Sequence, residues 1–424
     1  MTFSIADWER DILKELAVKQ AELASLPIMQ ERKKQWFNTN TGHGGTKPPV
    51  VIEEETFSYD FLPEGIFQCE SELARKIERD IIQVIRSYEL INDDKVVPDT
   101  YRMNWFIDVD EFGIEVPIVN APGMNGKQVG YKFIHPIKDL KKDFHKLKPA
   151  CISVNKEKTF AYKVFLEDLF AGALPVEIVC DGNYISSFLT NRVIALMGME
   201  AFFMALCDYP SETHVLMEYL TQNALHIMRF FEREELLRPN NGNHASFGSS
   251  FNFTNLLPQP DRQKELLRLR DMWLSTNSQE SVGISPDMFC EFCLPYYTRV
   301  CEQAGLIYYG CCEPVSPIWN KAISQLPNLK KVSISRWCDE SYMGDALRGT
   351  DIVYSRKPDP NFLSVDVSLD EESWSAHIRK SIEAARGCQM EFIIRDVYTL
   401  HGNINNARRA VELARKQIDQ YDWQ

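Results

Sequence analysis

The sequence lacks an apolar run long enough to cross a membrane. Its longest apolar stretch, Val193–Cys207, is interrupted by Gly198 and Glu200, whereas a spanning helix needs roughly 18 or more apolar residues in succession. The beginning, MTFSIADWERDILKEL, has no secretion signal pattern, and neither end carries a lipidation motif. These absences predict a cytoplasmic protein that has no membrane partner.

An excess of positive charge is also missing. The chain has 47 lysines and arginines against 60 aspartates and glutamates, a formal net charge of −13. Such a balance argues against nucleic acid or an anionic membrane as a partner. The 11 cysteines are an odd number, so they cannot all pair within one chain. We therefore expect reduced thiols, as is usual in a cytoplasm.

No glycine-rich GxGxxG turn follows a predicted strand, which favours a (β/α)8 barrel over a dinucleotide-binding sheet. After residue 70, short β-branched or aliphatic runs alternate with longer helical patterns, and this alternation predicts an α/β protein. The predicted strands are 96–97, 105–109, 176–180, 283–285, 306–309, 332–334, 352–354 and 392–394. The predicted helices are 186–207, 211–237, 261–275, 286–304, 316–325, 340–347, 371–386 and 404–419. We expect a single (β/α)8 TIM barrel over residues 70–424, with an N-terminal helical extension and loop over residues 1–69.

Charged residues and thiols follow several of the predicted strands. In a (β/α)8 barrel the chemistry takes place at the carboxyl ends of the strands. The residues at those ends are Asp181, Ser285, Cys311, Cys312, Glu313, Arg336, Trp337, Asp339, Arg356, Lys357, Arg395 and Asp396. The last third of the chain therefore contributes most of the candidate site.

The segment Tyr308–Pro314, YYGCCEP, places two thiols and a carboxylate on a strand-to-loop turn. Because neighbouring residues of an extended chain point to opposite faces, at most one of Cys311 and Cys312 is expected to enter the site. A thiolate with one or two nitrogen or oxygen ligands makes an open zinc site. The alternative is that both cysteines are small buried apolar side chains.

Other cysteines and histidines are less informative. Cys290 and Cys293 form a CxxC, but Glu and Phe fill the gap and the surrounding helix is apolar, so core packing is favoured over redox chemistry. His244 and His401 lie in polar loops, GNHASFG and DVYTLHGN, and are candidates for a site. A structural or solvated role is the alternative for both.

Two segments resemble the uroporphyrinogen decarboxylase superfamily. One is residues 193–217, VIALMGMEAFFMALCDYPSETHVLM. The other is residues 284–296, ISPDMFCEFCLPY, which is similar to the pattern SPxxFxEFxxPY at the start of a helix in that superfamily. The resemblance runs from about residue 70 to the end, and it implies a (β/α)8 barrel.

Within the superfamily, the chain is more similar to the zinc-dependent corrinoid methyltransferases than to the decarboxylases. Decarboxylases carry an arginine-rich RQAGRY-like segment near the first strand, whereas residues 101–106 here are YRMNWF. The methyltransferases end a late strand in a His-x-Cys metal motif, where this chain has Tyr309-Gly310-Cys311. The motifs YYGCCEP, SISRWCD (residues 333–339) and KPDP (residues 357–360) are typical of a demethylating subgroup.

Methyl transfer from an ether, amine or thioether needs stabilisation of the leaving heteroatom, by a metal or by a general acid. The candidate zinc ligands are Cys311, Cys312, Glu313 and Glu391. The candidate catalytic carboxylates are Glu313, Asp396 and Asp181. The candidate substrate-binding residues are Arg336, Lys357, His244, Trp337 and Tyr309.

The resemblance implies an enzyme that moves a methyl group from a small methoxy, amine or thiol compound to a corrinoid protein with the help of zinc. The chain has no Asp-x-His-x-x-Gly cobalamin signature, so the corrinoid is expected on a partner protein. Two alternatives stay open: a decarboxylase that needs no metal, and a non-catalytic barrel that binds a small ligand.

Overall fold

A computed structural model of the chain describes residues 3–42, 46–122, 128–180, 182–246, 249–262 and 266–423. The strands are β1 (Val50–Ile52), β2 (Tyr101–Asn104), β3 (Ile107–Asp110), β4 (Ile118–Pro122), β5 (Gln128–Phe133), β6 (Cys151–Val154), β7 (Val176–Val179), β8 (Ala245–Ser246), β9 (Ser250–Phe251), β10 (Trp273–Thr276), β11 (Leu306–Tyr309), β12 (Leu329–Ile334), β13 (Val353–Arg356) and β14 (Met390–Ile394).

Helices connect and cover these strands. The α-helices are α1 (Asp7–Ala24), α2 (Pro27–Thr41), α3 (Ser58–Phe61), α4 (Glu72–Arg86), α5 (Leu140–Asp143), α6 (Lys156–Phe170), α7 (Gly182–Ile185), α8 (Leu189–Met197), α9 (Met199–Asp208), α10 (Pro210–Arg233), α11 (Pro286–Phe292), α12 (Leu294–Cys301), α13 (Glu340–Leu347), α14 (Asn361–Ser364), α15 (Glu371–Ala384) and α16 (Asn405–Asp419). Within the described ranges no single helix is long and apolar enough to span a membrane, and only the bent pair α8 and α9 passes that test together.

The main sheet has six parallel strands in the order β1-β14-β13-β12-β11-β10. Strands β2 and β7 form a second parallel pair, and β3-β6, β4-β5 and β8-β9 are antiparallel pairs. Helices separate successive strands of the main sheet, as in α13 between β12 and β13 and α15 between β13 and β14. The predicted α/β class is confirmed as a curled six-stranded parallel sheet with many helices, but a complete eight-stranded barrel is not. In the described ranges no strand pairing joins β1 to β2 or β7 to β10.

Several predicted elements need correction. The helix predicted at 261–275 is wrong, because its described part holds only the 3-10 turn Leu269–Asp271 and the fully buried strand Trp273–Thr276. A short apolar run of this kind has no period that separates a buried strand from a buried helix. The strands predicted at 96–97 and 283–285 are not strands. By contrast, the helix predicted at 340–347 and the strand predicted at 306–309 are confirmed with those bounds.

The N-terminal region packs on the body of the protein. Glu9 of α1 accepts hydrogen bonds from the backbone N–H groups of Glu70 and Ser71 at the start of α4, at 2.9 and 2.8 Å. Leu13 and Ala17 of α1 are fully buried in the main core. Strand β1 also lies within residues 1–69, the range predicted as a helical extension and loop. The boundary between residues 69 and 70 stays a prediction.

One face of the sheet carries a second, smaller core. Residues that are paired directly across parallel strands point to the same face, so Val51 and its partner Ile393 share a side of the sheet. Trp36 of α2 and Phe251 pack against them. The amide of Asn40 donates to the backbone carbonyls of Phe251 and Phe253 at 2.8 and 2.9 Å. These hydrogen bonds hold the end of α2 against β9 and the residues that follow it.

We expect Gly344→Ala to destabilise the protein by about 1–3 kcal/mol, the usual cost of overpacking. A methyl group at Gly344 in α13 would lie 1.8 Å from the backbone carbonyl oxygen of Ala384 at the end of α15, so the helices would have to separate. Gly65→Ala is the matched control, because a methyl group there meets no atom within 4 Å. Urea unfolding compares the two variants, and equal midpoints would contradict close packing of α13 on α15.

Candidate active site at the carboxyl ends of the strands

A glycine turn begins the candidate site directly after β11. Gly310 has φ +101°, a conformation that side chains disfavour. A methyl group at this position would also lie 2.9 Å from Cβ of Ser333 on the neighbouring strand. The turn is held by Ser333, whose hydroxyl donates to the carbonyl of Cys311 at 2.6 Å. Both Cys311 and Cys312 therefore leave the strand in a fixed direction.

The turn brings the two thiols together. The Sγ atoms of Cys311 and Cys312 are 3.4 Å apart, and Sγ of Cys312 lies 3.2 Å from Oδ2 of Asp396, so the single thiol proton of Cys312 can be donated either to Cys311 or to Asp396. Only Cys312 lines the adjacent cavity, in agreement with the expectation that at most one thiol enters the site. The two side chains do not diverge, however, because the chain is no longer extended at this point. Cys311 is only 3% exposed, whereas Cys312 is partly exposed. One sulfur is thus buried while its neighbour meets solvent.

Two cations lie beside the thiols. The buried Lys357 donates from Nζ to the carbonyl of Cys311 at 3.0 Å. Nη1 of Arg395 lies 3.5 Å from Sγ of Cys311, and its Nε lies 3.2 Å from Oε2 of Glu53. The hydrogen bond from Cys312 and the charges of Lys357 and Arg395 lower the pKa of Cys311 against the effect of burial. That hydrogen bond, burial and the charge of Cys311 together raise the pKa of Cys312.

Glu313 stabilises the turn through hydrogen bonds with the backbone. Its two carboxylate oxygens accept hydrogen bonds from the backbone N–H groups of Ser278 and Cys311, at 3.0 and 2.8 Å. Its carbonyl accepts the hydroxyl of Ser335 at 3.0 Å. Burial raises the pKa of Glu313, opposed mainly by the hydrogen bond from Ser278. These bonds join the loops after β10, β11 and β12, so the carboxylate is engaged with backbone rather than directed at the thiols.

Glu391 does not meet the thiols. It lies inside β14, four residues before Arg395, a separation of about 13 Å along an extended strand. Its carboxylate lies 2.9 Å from Nζ of Lys331, and both side chains are fully buried. The structure therefore separates this predicted zinc ligand from Cys311 and Cys312.

The donor set does not fit a zinc ion in this arrangement. Among the residues that the structure describes, no three His, Cys, Asp or Glu side chains are grouped so that they could hold a metal. The guanidinium of Arg395 also approaches Cys311 as a competing cation. Zinc stays a prediction from the resemblance.

A cavity of about 290 Å³ opens beside the thiols. Its lining contains five of the predicted site residues, namely Cys312, Arg336, Trp337, Lys357 and Asp396. Two large aromatic side chains stand at its edge, Trp337 at 62% exposure and Tyr398 at 71%. Arg336 is held by Asp359 at 2.7 Å and lies over the Trp337 ring at 4.3 Å. The cavity therefore combines aromatic surface, a thiol, a carboxylate and two cations.

Other predicted residues lie elsewhere. Tyr309 is fully buried, and its hydroxyl shares a hydrogen bond of 2.5 Å with Ser278, so it does not reach the cavity. Burial, together with the charge of Arg102, lowers the pKa of His244 to about 3, and neither ring nitrogen finds a hydrogen-bond partner in the described part of the chain. His244 is not among the residues lining the cavity. Asp181 lies outside the described residues.

Arg395, Glu53 and Tyr398 are site residues to which the sequence analysis gave no role. Arg395 directly follows a correctly predicted strand, so the sequence predicted its position at a strand end. It did not predict the contact of Arg395 with Cys311. Glu53 was missed because β1 is only three residues long and was not predicted. Tyr398 lies in the loop after β14, where the sequence has no periodic pattern that would indicate the direction of a side chain.

A second cavity, of about 240 Å³, lies between α4, the segment after it and the β8-β9 hairpin. The charges on its wall are largely paired with one another. Lys95 contacts Glu54 at 2.5 Å and Asp93 at 3.2 Å. Arg32 donates to the carbonyl of Lys95 and to the side chain of Asn92, at 2.9 and 2.6 Å. We therefore place the chemistry at the thiol cavity.

Comparisons with known proteins support the fold. No family model matches the sequence, and no curated protein matches it. The structure is similar to that of a methyltransferase from Methanosarcina mazei, with a TM-score of 0.51 and 11% sequence identity, over 91% of this chain and 98% of that chain. The two chains share a fold. Identity this low carries no residue roles across, so the site must be argued from its own geometry.

Proposed function

We propose that this chain is a methyltransferase that takes a methyl group from a small methylated compound and passes it to the corrinoid of a partner protein. The observation that carries the proposal is the cavity at the carboxyl ends of β11–β14, where Cys312, Lys357 and Asp396 meet beside exposed aromatic rings. The shared fold with a methyltransferase supports it. The corrinoid partner is inferred from the resemblance of the sequence motifs.

We also infer that the eight parallel strands of the two sheets close into a barrel. Strands β1, β2, β7 and β10–β14 are the number that a (β/α)8 barrel needs. In such a barrel the active site lies at the carboxyl ends of the strands. That is where the cavity lies.

Methyl transfer leaves electron density on the heteroatom that loses the methyl group. The ammonium of Lys357 is buried in the cavity wall and held by the carbonyl of Cys311, so it can stabilise the leaving atom without reorganisation. The Cys312–Asp396 pair supplies a hydrogen-bonded proton on the same wall. Trp337 and Tyr398 offer apolar surface to a methyl group or an aromatic ring. These roles use only residues that the structure places together, and no step depends on a metal.

Turnover with a corrinoid acceptor tests the proposal. The purified chain is mixed with a reduced corrinoid protein and with methoxyaromatic, methylamine or methylthiol donors, and the loss of the Co(I) absorption band is followed. We expect at least one donor class to give loss of the band that depends on both the chain and the donor. Decarboxylation of a porphyrinogen without any methyl transfer would favour the decarboxylase alternative. Tight binding of a donor without turnover would favour a non-catalytic barrel.

A further inference from the structure

We propose that Cys311 and Cys312 form a redox-active dithiol, which a small disulfide in solution oxidises to a disulfide between these two neighbouring residues. The inference is independent of methyl transfer. It starts from the arrangement of the sulfurs, which lie 3.4 Å apart after a turn fixed by Gly310 and Ser333. Bond formation must bring them from 3.4 Å to about 2.05 Å and closes a strained ring between adjacent residues, which makes the disulfide easy to reduce.

The two sulfurs differ in access, and this difference sets their order of reaction. Cys312 lines the cavity and is partly exposed, so an incoming disulfide meets it first. Cys311 is 3% exposed and lies behind it. Thiol–disulfide exchange proceeds through a mixed disulfide, and an adjacent thiol then resolves it. Access therefore makes Cys312 the attacking thiol and Cys311 the resolving thiol, although the raised pKa of Cys312 slows its attack.

Neighbouring groups affect each step. Asp396 lies 3.2 Å from the sulfur of Cys312 and can take its proton as the sulfur attacks, while its negative charge disfavours a free thiolate there. Arg395 lies 3.5 Å from the sulfur of Cys311, and a cation at this distance favours the thiolate that breaks the mixed disulfide.

The overall exchange balances. In the first step, Cys312 bonds to one sulfur of the small disulfide and the other sulfur leaves as a thiol, carrying the proton of Cys312. In the second step, Cys311 bonds to Cys312 and the remaining small thiol leaves with the proton of Cys311. The protein loses two hydrogen atoms, and the small disulfide becomes two thiols.

The other described cysteines do not offer this arrangement. Cys293 is fully buried, and Cys290 donates its thiol hydrogen to the carbonyl of Lys321 at 3.4 Å instead. Cys151 and Cys207 are exposed, and no hydrogen bond to a second thiol is found for either among the residues described. These two serve as internal controls, because a mixed disulfide formed there has no nearby thiol to resolve it.

The test is chemical mapping of the full-length chain. The reduced protein is incubated with excess oxidised glutathione, remaining thiols are blocked with an alkylating reagent, and peptides are analysed by mass spectrometry. We expect the peptide containing residues 310–314 to be lighter by two hydrogen atoms, without glutathione and without alkylation at the pair, while Cys207 keeps glutathione. Treatment with a dithiol reductant should restore both thiols.

Two variants separate the roles of the sulfurs. Cys311→Ser should keep glutathione on Cys312, because the resolving thiol is gone. Cys312→Ser should leave Cys311 free of glutathione, because the buried sulfur is not reached. Stable glutathione on Cys312 in the unaltered chain would overturn the proposal. The proposal would also be overturned if both sulfurs of the pair are alkylated after the oxidation step, provided that glutathione on Cys207 shows that the oxidant has reacted.

Discussion

Replacing Lys331 by methionine is expected to destabilise the protein by about 3–5 kcal/mol, the range for breaking a buried ion pair on one side. Lys331 and Glu391 are both fully buried, with Nζ and Oε2 at 2.9 Å. Nζ also donates to the hydroxyl of Ser250 and the carbonyl of Phe251, at 2.6 and 3.0 Å. The variant leaves these acceptors and the Glu391 carboxylate without their donor.

The ammonium of Lys331 lies near two aromatic rings. It is 5.4 Å from the ring of Trp36 and 5.7 Å from that of Trp273. Burial lowers the pKa of Lys331, opposed by the charge and hydrogen bond of Glu391. Glu391 is therefore the group that favours the charged form of Lys331.

Urea unfolding measures this effect, with two comparisons. Lys321→Met is the matched control, because that lysine is exposed and its ion pair with Asp287 lies on the surface, where such pairs contribute little to stability. The double variant Lys331→Met/Glu391→Leu removes both charges, and it should recover much of the lost stability. A single variant as stable as the Lys321→Met control would contradict the buried pair.

The second large effect concerns turnover. We expect Lys357→Met to lower kcat by about 10²–10³-fold, the range for removing one preorganised charge-stabilising donor. The ammonium of Lys357 lies on the cavity wall, and it is the buried cation positioned to meet the leaving atom. Its loss removes stabilisation that grows as the methyl group departs, so kcat should fall more than KM rises.

Matched variants distinguish this role from a structural one. Lys357 also donates to the carbonyl of Cys311, so unfolding midpoints must be compared alongside the rates. Lys357→Arg keeps a cation and should retain part of the activity, whereas Lys321→Met should keep nearly all of it. Unchanged kcat in Lys357→Met, with a donor that the unaltered chain turns over, would remove this lysine from the mechanism.

The sequence was sufficient to locate the later strands and the residues at their ends. The runs at 306–309 and 392–394 are apolar and β-branched or aromatic, and they lie between clear helical patterns. The carboxyl ends of these two strands and of the strand predicted at 352–354 delivered Cys312, Asp396 and Lys357 to one cavity. Because parallel strands end at a common edge, correct strands were enough to group these side chains.

The sequence did not indicate the directions of several side chains or the partners that they meet in the core. Tyr309 precedes the turn on a strand, and only the structure shows that its hydroxyl bonds with Ser278 instead of reaching the cavity. The turn at Gly310 reversed the expectation that Cys311 and Cys312 diverge. The buried partnership of Glu391 with Lys331 joins strands 60 residues apart, a separation that no local pattern spans.

The most direct test of the proposed function follows the methyl group itself. A donor carrying an isotopically labelled methyl group is incubated with the chain and a reduced corrinoid protein, and the corrinoid is then analysed by mass spectrometry. The account predicts labelled methylcorrinoid, formed only when chain and donor are both present, in yields that fall sharply with Lys357→Met. A corrinoid that stays unlabelled with methoxy, amine and thiol donors alike would contradict it.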